Sequence, residues 1–492
     1  MYPMKMKSIL VICFALISTL FFAQSKQSGK QNVNNHAYPY GNPIIRHMYT
    51  ADAAPHVMPD GKVWIVTSVD SDLGGGYGTM HCYHSFSSPD MVHWTDHGEI
   101  FNLNDALQGK PEPQGQDWAL WAPDMVYRNG KYYLYYPVRI ANDALETAKG
   151  NNGESYIAVA VSDNPGHHFK VINPRIEKTG GIDPAIFVDD DGLPYLYWGS
   201  HNAAKLKENM YELAEEPKKL DVNTDRFMEA IWMDKHDGKF YLSYHTIYNW
   251  KVKITDENAN DSNRLKSELA YSVGDSPMGP FKYMGTFNFE LGVNVNNGPR
   301  IDETKKYVPW RYMQSNHGGI VEFHGQEYLF YHTSALSSWR QDEFKGPGTW
   351  TQRSVCVDKL NYNADGTIIP VQQTIESVPA VVINQPFEIN LLKKPTVVNE
   401  NKRILSFEKV NLGTGYYYFG LTALNVSKPC RAEIRLDSPT GKLVGTALVN
   451  NNGVSECSLR GANGIHMVYL VFNESIKISQ IHFFAGKPMK KN

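Results

Sequence analysis

Two apolar runs flank a glycine at five places along this chain, and the run after the glycine is rich in aromatic side chains. The residue before each glycine is charged or polar. This pattern predicts a β-hairpin, because the turn requires a positive φ that glycine adopts without steric cost. The five segments are residues 60–66, 129–136, 191–198, 237–244 and 324–331.

Five hairpins spread over about 300 residues predict a radially repeated fold. The expected fold class is all-β, with a five-bladed β-propeller over residues 42–379 and a β-sandwich of jelly-roll type over residues 380–492. The repeat stops near residue 379, but short alternating runs continue at 432–436, 443–449 and 466–472. About 100 residues of short strands and turns are typical of a sandwich.

The glycines give a common register for the five blades. Counting nine residues back from each glycine gives Asp52, Trp121, Asp183, Glu229 and Asn316. The first strand of each propeller blade lines the central axis, so these side chains are expected to meet at one end of it. Three of the five are carboxylates in apolar segments. Like charges gathered in an apolar funnel are unfavourable, which indicates a catalytic or binding purpose.

Composition narrows the function classes. The chain has 492 residues, 12% aromatic side chains and a formal net charge of −3. The length predicts two domains, and the small net charge favours neither a nucleic-acid nor an anionic-membrane partner. The sequence contains no Walker A loop, no dinucleotide-binding glycine pattern and no zinc-type Cys/His spacing, so no cofactor is expected for the chemistry. The oligomeric state is left open.

Residues 1–23 are typical of a signal peptide, because Lys5 and Lys7 precede an uncharged apolar run at 9–23. The 15 residues of this run are too few for a comfortable membrane span. Cleavage after Ala23 would leave a polar linker at 24–41 and a secreted or periplasmic protein without a membrane span. An uncleaved anchor is the alternative.

Four cysteines follow this segment: Cys82, Cys356, Cys430 and Cys457. Cys430 and Cys457 both fall in the second domain and could form a disulfide, and buried free thiols are the alternative. No close-spaced cysteine motif decides between them.

Four segments near the predicted axis carry a family likeness. Residues 50–56, 121–124, 182–192 and 316–323 resemble, in this order, motifs of glycoside hydrolase family 43. The likeness covers about residues 42–375. It implies a five-bladed propeller and an inverting glycosidase on plant or algal polysaccharides, commonly an α-L-arabinofuranosidase or a β-xylosidase.

The resemblance also implies roles for individual residues. Asp52 matches the general base of the family, Glu229 matches its general acid, and Asp183 matches the carboxylate that tunes the acid and orients the sugar. His317 matches a histidine that sometimes lies beside a calcium ion, so a structural calcium is a further prediction. Inverting hydrolysis needs one protonated carboxylic acid and one carboxylate. A charged Asp183 near Glu229 is expected to raise the pKa of Glu229 and keep it protonated.

Four further side chains are candidate substrate contacts. Trp121 is expected to form a wall of the pocket and Trp198 to supply a subsite, with core packing as the alternative for both. His317 is expected to contact substrate, and a hydrogen-bonded structural histidine is the alternative. Arg353 is expected either to bind a sugar hydroxyl or to keep Asp52 ionised.

The second domain resembles carbohydrate-binding module family 6 at residues 433–446 and 464–472. The stacking tryptophan usual after the first segment is missing, since residues 454–457 read Val-Ser-Glu-Cys. A role in packing against the propeller is therefore the alternative to sugar binding.

Other functions fit parts of the pattern. A five-bladed fructosidase needs an Asn before its nucleophilic Asp and an Arg-Asp-Pro motif, whereas Ala51 precedes Asp52 and Ile182 precedes Asp183. A galactosidase on the same fold and a non-catalytic sugar-binding propeller are further alternatives, although the latter would not require three axial carboxylates. The sequence thus predicts a secreted inverting glycoside hydrolase that acts on hemicellulose-type polysaccharides or their oligosaccharides.

Overall fold

The computed structural model describes residues 37–74, 77–110, 119–139, 155–224, 227–248, 266–289, 315–343, 349 and 351–485. The predicted signal peptide and most of the predicted linker lie outside these residues. In these ranges nearly all regular structure is β, with two short helices, α1 (Leu103–Ala106) and α2 (Ala335–Asp342), and one 3₁₀ turn at Tyr77–Thr79. Within the described ranges, no helix has the length and apolar character needed to cross a membrane.

The first part of the chain forms five antiparallel sheets, each built from strands that are consecutive in sequence. The sheet orders are β1-β2-β3-β4, β5-β7-β8-β9 with β6 also paired to β7, β10-β11-β12-β13, β14-β15-β16-β17 and β18-β19-β20-β21. Five such sheets in succession are the blades of a propeller, so the predicted five-bladed β-propeller is confirmed. The strands are β1 Thr50–Val57, β2 Val63–Val69, β3 Cys82–Ser88, β4 Thr95–Asn102, β5 Ala119–Leu120, β6 Asp124–Arg128, β7 Lys131–Arg139, β8 Ser155–Ser162, β9 Lys170–Asn173, β10 Ala185–Val188, β11 Pro194–Trp198, β12 Asn202–Lys205, β13 Lys218–Lys219, β14 Phe227–His236, β15 Lys239–Tyr248, β16 Lys266–Gly274, β17 Phe281–Asn288, β18 Gly319–Phe323, β19 Gln326–Thr333, β20 Ser354–Tyr362 and β21 Ile368–Ile369.

The five predicted hairpins join the innermost strand of each blade to the next strand. All five turn glycines have a positive φ, between 76° and 87°. In three hairpins the preceding residue, Asn129, Asp237 or His324, also has a positive φ, and only two residues connect the strands. These are type I′ turns, whose twist matches that of the strands they join. The other two hairpins connect through five residues.

The remaining strands form two antiparallel sheets. One has the order β22-β30-β25-β28, with β23 also paired to β30, and the other has the order β24-β29-β26-β27. The two sheets share one apolar core, which is the arrangement of a β-sandwich. The strands are β22 Glu388–Asn390, β23 Thr396–Val398, β24 Ile404–Asn411, β25 Tyr416–Leu424, β26 Cys430–Leu436, β27 Leu443–Val449, β28 Gly453–Ala462, β29 Ile465–Phe472 and β30 Ile476–Phe484. The boundary at residue 379 stays a prediction, and it falls between β21 and β22.

The sandwich packs against the hairpin end of the propeller. Tyr418 Oη donates a hydrogen bond to the carbonyl of Val57 at 3.0 Å, and Tyr417 Oη accepts one from the N–H of His324 at 2.5 Å. Both propeller residues lie beside hairpin turns, whereas the three axial carboxylates lie nine residues before the turn glycines. The sandwich therefore covers the end of the axis opposite the carboxylates.

The four described cysteines are free thiols. Cys430 lies on β26 and Cys457 on β28, which belong to different sheets, and the disulfide considered from the sequence is not formed. Burial raises the pKa of both thiols, which keeps them protonated and unreactive.

Candidate active site

Asp52, Asp183 and Glu229 each lie at a break in the regular strand geometry. Asp52 (φ 57°) and Asp183 (φ 55°) are left-handed, and so is Ala230 (φ 60°), the neighbour of Glu229. The β1–β2 and β14–β15 ladders shift register at these points. Such bulges redirect a side chain away from the sheet and toward a site. The three carboxylates that share a register in the sequence therefore also share a left-handed residue, either themselves or next to them.

Asp52 is held by three donors. Arg353 Nη1 lies 2.9 Å from Oδ1, Ser68 Oγ lies 2.7 Å from Oδ2, and His317 Nδ1 lies 2.9 Å from Oδ1. Burial alone would raise the pKa of Asp52, but the charges of Arg353 and His317 and the hydrogen bond from His317 outweigh burial. Together they hold the pKa of Asp52 well below its usual range, so Asp52 is a carboxylate at neutral pH.

Arg353 connects Asp52 to a second carboxylate, Asp70. Its Nε and Nη2 donate to the two carboxylate oxygens of Asp70, both at 2.9 Å. This two-point contact is the strong form of an arginine–carboxylate pair. Arg353 is 2% exposed, so the structure supports the expectation that it keeps Asp52 ionised.

His317 lies between the two aspartates. Its Nδ1 is 2.9 Å from Asp52 Oδ1, and its Nε2 is 3.4 Å from Asp183 Oδ2. Burial lowers the pKa of His317, but the two carboxylates raise it well above its usual value. Without a metal ion beside it, the ring is therefore an imidazolium at neutral pH. A calcium ion beside His317 stays a prediction.

Glu229 is held by His245. Nδ1 of His245 lies 3.2 Å from Glu229 Oε1, and Nε2 lies 2.7 Å from Ser267 Oγ. Burial raises the pKa of Glu229, but the hydrogen bond with His245 and the charges of His245 and His317 outweigh burial and lower it.

The expected direction of the acid's pKa is therefore wrong for this structure. Asp183, and not Glu229, has the raised pKa, chiefly because of burial and with contributions from the charges of Glu229 and Asp52. The cause is His245, a fully buried residue whose hydrogen bond favours the ionised form of Glu229. Asp183 accepts its described hydrogen bond from the uncharged N–H of Ala230 at 3.0 Å.

A narrow cavity of about 20 Å³ lies on the axis at this end. Residues from all five blades line it, among them Asp52, Ala122, Asp183, Ala230 and Gly318. The sequence profile of the family described as Glycosyl hydrolases family 43 matches residues 40–368. The chain belongs to glycoside hydrolase family 43.

Relatives of this family 43 glycoside hydrolase cover most of it. A xylosidase/arabinosidase of Bacteroides ovatus is 31% identical over 377 residues, which are 66% of this chain and 95% of that protein. An arabinoxylan arabinofuranohydrolase of Bacillus subtilis is 28% identical over 504 residues, 88% of this chain and 89% of that one. A solved family 43 β-xylosidase/α-arabinofuranosidase from a compost microbial metagenome, in complex with xylotriose, superimposes with a TM-score of 0.50 at 29% identity, covering 68% of this chain and 97% of that chain.

The two predicted tryptophan contacts have different environments in this family 43 enzyme. Trp121 is half-buried just before β6, and its Nε1 donates to the carbonyl of Tyr77 at 3.0 Å. Trp198 is 1% exposed and packs in a core with Leu196 and Met210. A fully buried ring offers no face to a sugar, so the subsite prediction for Trp198 is wrong and its alternative, core packing, holds.

A second register on the family 43 propeller was missed by the sequence interpretation. Counting seven residues forward from the hairpin glycines gives Ser68, His245 and His332 in blades one, four and five. Ser68 contacts Asp52, His245 contacts Glu229, and His332 Nδ1 accepts the N–H of Asp52 at 3.3 Å. A hairpin places these positions beside those nine residues before the glycine, so the same repeat could have revealed them.

Proposed function

We propose that this glycoside hydrolase removes arabinofuranose or xylose from hemicellulose-type polysaccharides or their oligosaccharides, with inversion at the anomeric carbon. The names of its relatives support this class of sugar. The observation that carries the mechanism is that two carboxyl groups with different hydrogen-bond and charge partners lie at one end of the axis. Arg353 keeps Asp52 ionised, and Glu229 lies against His245.

In the proposed reaction Asp52 takes a proton from a water molecule as the water oxygen attacks the anomeric carbon. Glu229 gives its proton to the glycosidic oxygen as the carbon–oxygen bond to the leaving group breaks. One water is consumed in each turnover, and both carboxyl groups return to their starting states by proton exchange with solvent. Asp183, which accepts a hydrogen bond from the N–H of Ala230, orients the sugar beside them.

Substrate binding makes Glu229 take up the proton that it needs from solvent. A bound sugar removes water from the site, and loss of water disfavours the charged form of a carboxyl group. The pKa of Glu229 therefore rises from its lowered starting value when the site is filled. The basic limb of the kcat profile should lie at higher pH than that of kcat/KM, because kcat reports the complex and kcat/KM the free enzyme. Coincident basic limbs would contradict this proposal.

The sugar and the stereochemistry are tested with aryl glycosides of arabinofuranose, xylose, galactose and fructose. We expect turnover of the first two, with the inverted anomer as the first product seen by NMR.

Asp52→Asn and Glu229→Gln should each lose at least about 100-fold in kcat, whereas Asp163→Asn, at an exposed ion pair with Lys131, should not. Turnover of the galactoside or fructoside alone, or a retained anomer, would overturn the assignment.

Export is part of the proposal and rests on the first 23 residues. Mass spectrometry of the protein from its natural source should show a chain that begins at Gln24. A full-length chain with Met1 retained in the cell would contradict export.

The sandwich acts in packing against the propeller and not in sugar binding. Residues 380–492 contain no tryptophan, and Tyr416, Tyr417 and Tyr418 are buried. Sugar-binding surfaces usually present several exposed aromatic faces, and among the described sandwich residues only Phe387, at 69% exposure, is an exposed large aromatic side chain. With the propeller site inactivated and saturated by a soluble inhibitor, the full chain should not be retained on an arabinoxylan column. Retention there would restore the carbohydrate-binding interpretation.

A further inference from the structure

The outer strands of blade one bring together a thiol, an imidazole and a carboxylate. Cys82 and His84 are two residues apart on β3 and therefore point to the same side of the sheet. Glu99 lies opposite His84 on β4. One sulfur, nitrogen or oxygen atom from each of the three lies within 4.8 Å of the others.

A second carboxylate orients this group. Asp96 Oδ1 lies 3.4 Å from His84 Nδ1, and Asp96 Oδ2 lies 2.8 Å from His47 Nε2. A carboxylate on one imidazole nitrogen fixes the ring and directs the other nitrogen to a metal, as in many protein metal sites. Among the described ion pairs, neither Glu99 nor Asp96 is paired with lysine or arginine, so this face has negative charge that a cation would neutralise.

We propose that Cys82, His84 and Glu99 form a binding site for a divalent transition metal ion, with Zn²⁺ as the best fit. A thiolate, an imidazole and a carboxylate are the ligands that Zn²⁺ takes, and three protein ligands leave a fourth position for water. Ligand atoms around tetrahedral Zn²⁺ are roughly 3.5 Å apart, so side-chain shifts of about 1 Å close the site. Ca²⁺ and Mg²⁺ do not fit, because they do not bind thiolates.

The site explains why the sequence shows no zinc motif. Its ligands come from two paired strands, and the spacing of Glu99 from His84 depends on register shifts between β3 and β4. The sheet itself holds the ligands, so the ion would stabilise the outer edge of blade one and not the active site. A metal ion replaces the thiol proton of Cys82, so binding releases a proton and strengthens as pH rises.

The test uses the full chain stripped with a chelator. We expect one Zn²⁺ per chain in competition with a chromogenic chelator, and a thiolate-to-Co²⁺ charge-transfer band when Co²⁺ is added instead. Affinity should rise about tenfold per pH unit while one thiol proton is released. Zn²⁺ should also raise Tm.

Variants of blade one locate the site. Cys82→Ser should abolish the Co²⁺ band and the Zn²⁺-dependent rise in Tm, and Asp96→Asn should weaken binding by about 10- to 100-fold. Glu99→Gln, at an exposed position, should weaken binding without affecting folding. His93→Gln is the matched control, because His93 pairs with Asp90 at 2.6 Å on the same blade away from the cysteine. No stoichiometric binding, or unchanged binding in Cys82→Ser and Glu99→Gln, would overturn the proposal.

Discussion

At the scale of single residues, one arginine determines the state of the proposed base. Arg353 lies 2.9 Å from both Asp52 and Asp70, and all three side chains are buried. Removing one partner from a buried charge cluster leaves an uncompensated charge, at a cost of about 3–5 kcal/mol. Activity and stability therefore depend on the same contact.

Arg353→Gln should move the acid limb of the kcat/KM profile to higher pH. The charge of Arg353 is the largest of the effects that lower the pKa of Asp52, so the pKa rises without it. A carboxyl group with a lowered folded-state pKa stabilises the fold above its unfolded-state pKa, and this contribution is lost as pH falls. The loss in Tm should therefore be larger at neutral pH than in acid. Arg353→Lys should be intermediate in both measurements, and an unmoved acid limb in Arg353→Gln would refute the role.

His245 and His332 occupy the same register in blades four and five, but His245 lies 3.2 Å from the carboxylate of Glu229 and His332 lies 3.7 Å from that of Asp52. His245→Gln should slow alkyl glycosides and disaccharides by at least about tenfold and leave dinitrophenyl glycosides little changed, because a strongly acidic leaving group needs no proton from Glu229. His332→Gln, beside the base, should slow all substrates equally. Equal losses for both kinds of leaving group in His245→Gln would contradict a role on the acid side.

At the scale of strands, the blades could be predicted and the bends in their innermost strands could not. The hairpins depend on local pattern and on turn glycines, so their positions follow from the sequence. The left-handed conformations of Asp52, Asp183 and Ala230 are imposed by packing around the axis, since such residues ordinarily avoid this region. The burial of Trp198 was missed for a similar reason, because an aromatic side chain suits both a core and a sugar subsite.

Ala230 allows a test of strain at this bend. Ala230→Gly should raise the free energy of unfolding by about 1 kcal/mol, because a left-handed alanine costs roughly that much relative to glycine. Ala204→Gly, at a buried position in the regular strand β12, should lower it by a similar amount. Urea denaturation measures both. A loss of stability in Ala230→Gly equal to that in Ala204→Gly would show that the bend is not strained.

At the scale of the whole molecule, the sandwich and the propeller enclose acidic side chains at the hairpin end of the propeller axis. A cavity of about 1170 Å³ lies between the hairpin end of the propeller and the sandwich, and Asp234, Glu322 and Glu327 are among its lining residues. Burial raises the pKa of Asp234 and of Glu322 to about 7, with a further contribution from the charge of Glu327. All three side chains belong to the propeller, on β14, β18 and β19. The sequence of the propeller alone could not have indicated that the sandwich covers them.

The free energy of unfolding should decrease as pH rises from about 4.5 to 7. Over this window the native state keeps protons on Asp234 and Glu322 that the unfolded chain has lost, so stability falls as pH rises. Glu322→Gln should reduce the fall in Tm across the window. Glu400→Gln, at an exposed position in the sandwich, should leave the fall unchanged, and the same slope in both variants would contradict this account.

The contact between Arg353 and Asp52 spans 301 residues of sequence. On the ribosome the first blade is made long before Arg353. A nascent chain therefore carries the carboxylates of Asp52 and Asp70 without their arginine partner until the fifth blade is made. Closing the ring therefore also completes the charge environment of the proposed base. We expect a truncated or misassembled ring, which lacks this contact, to be inactive.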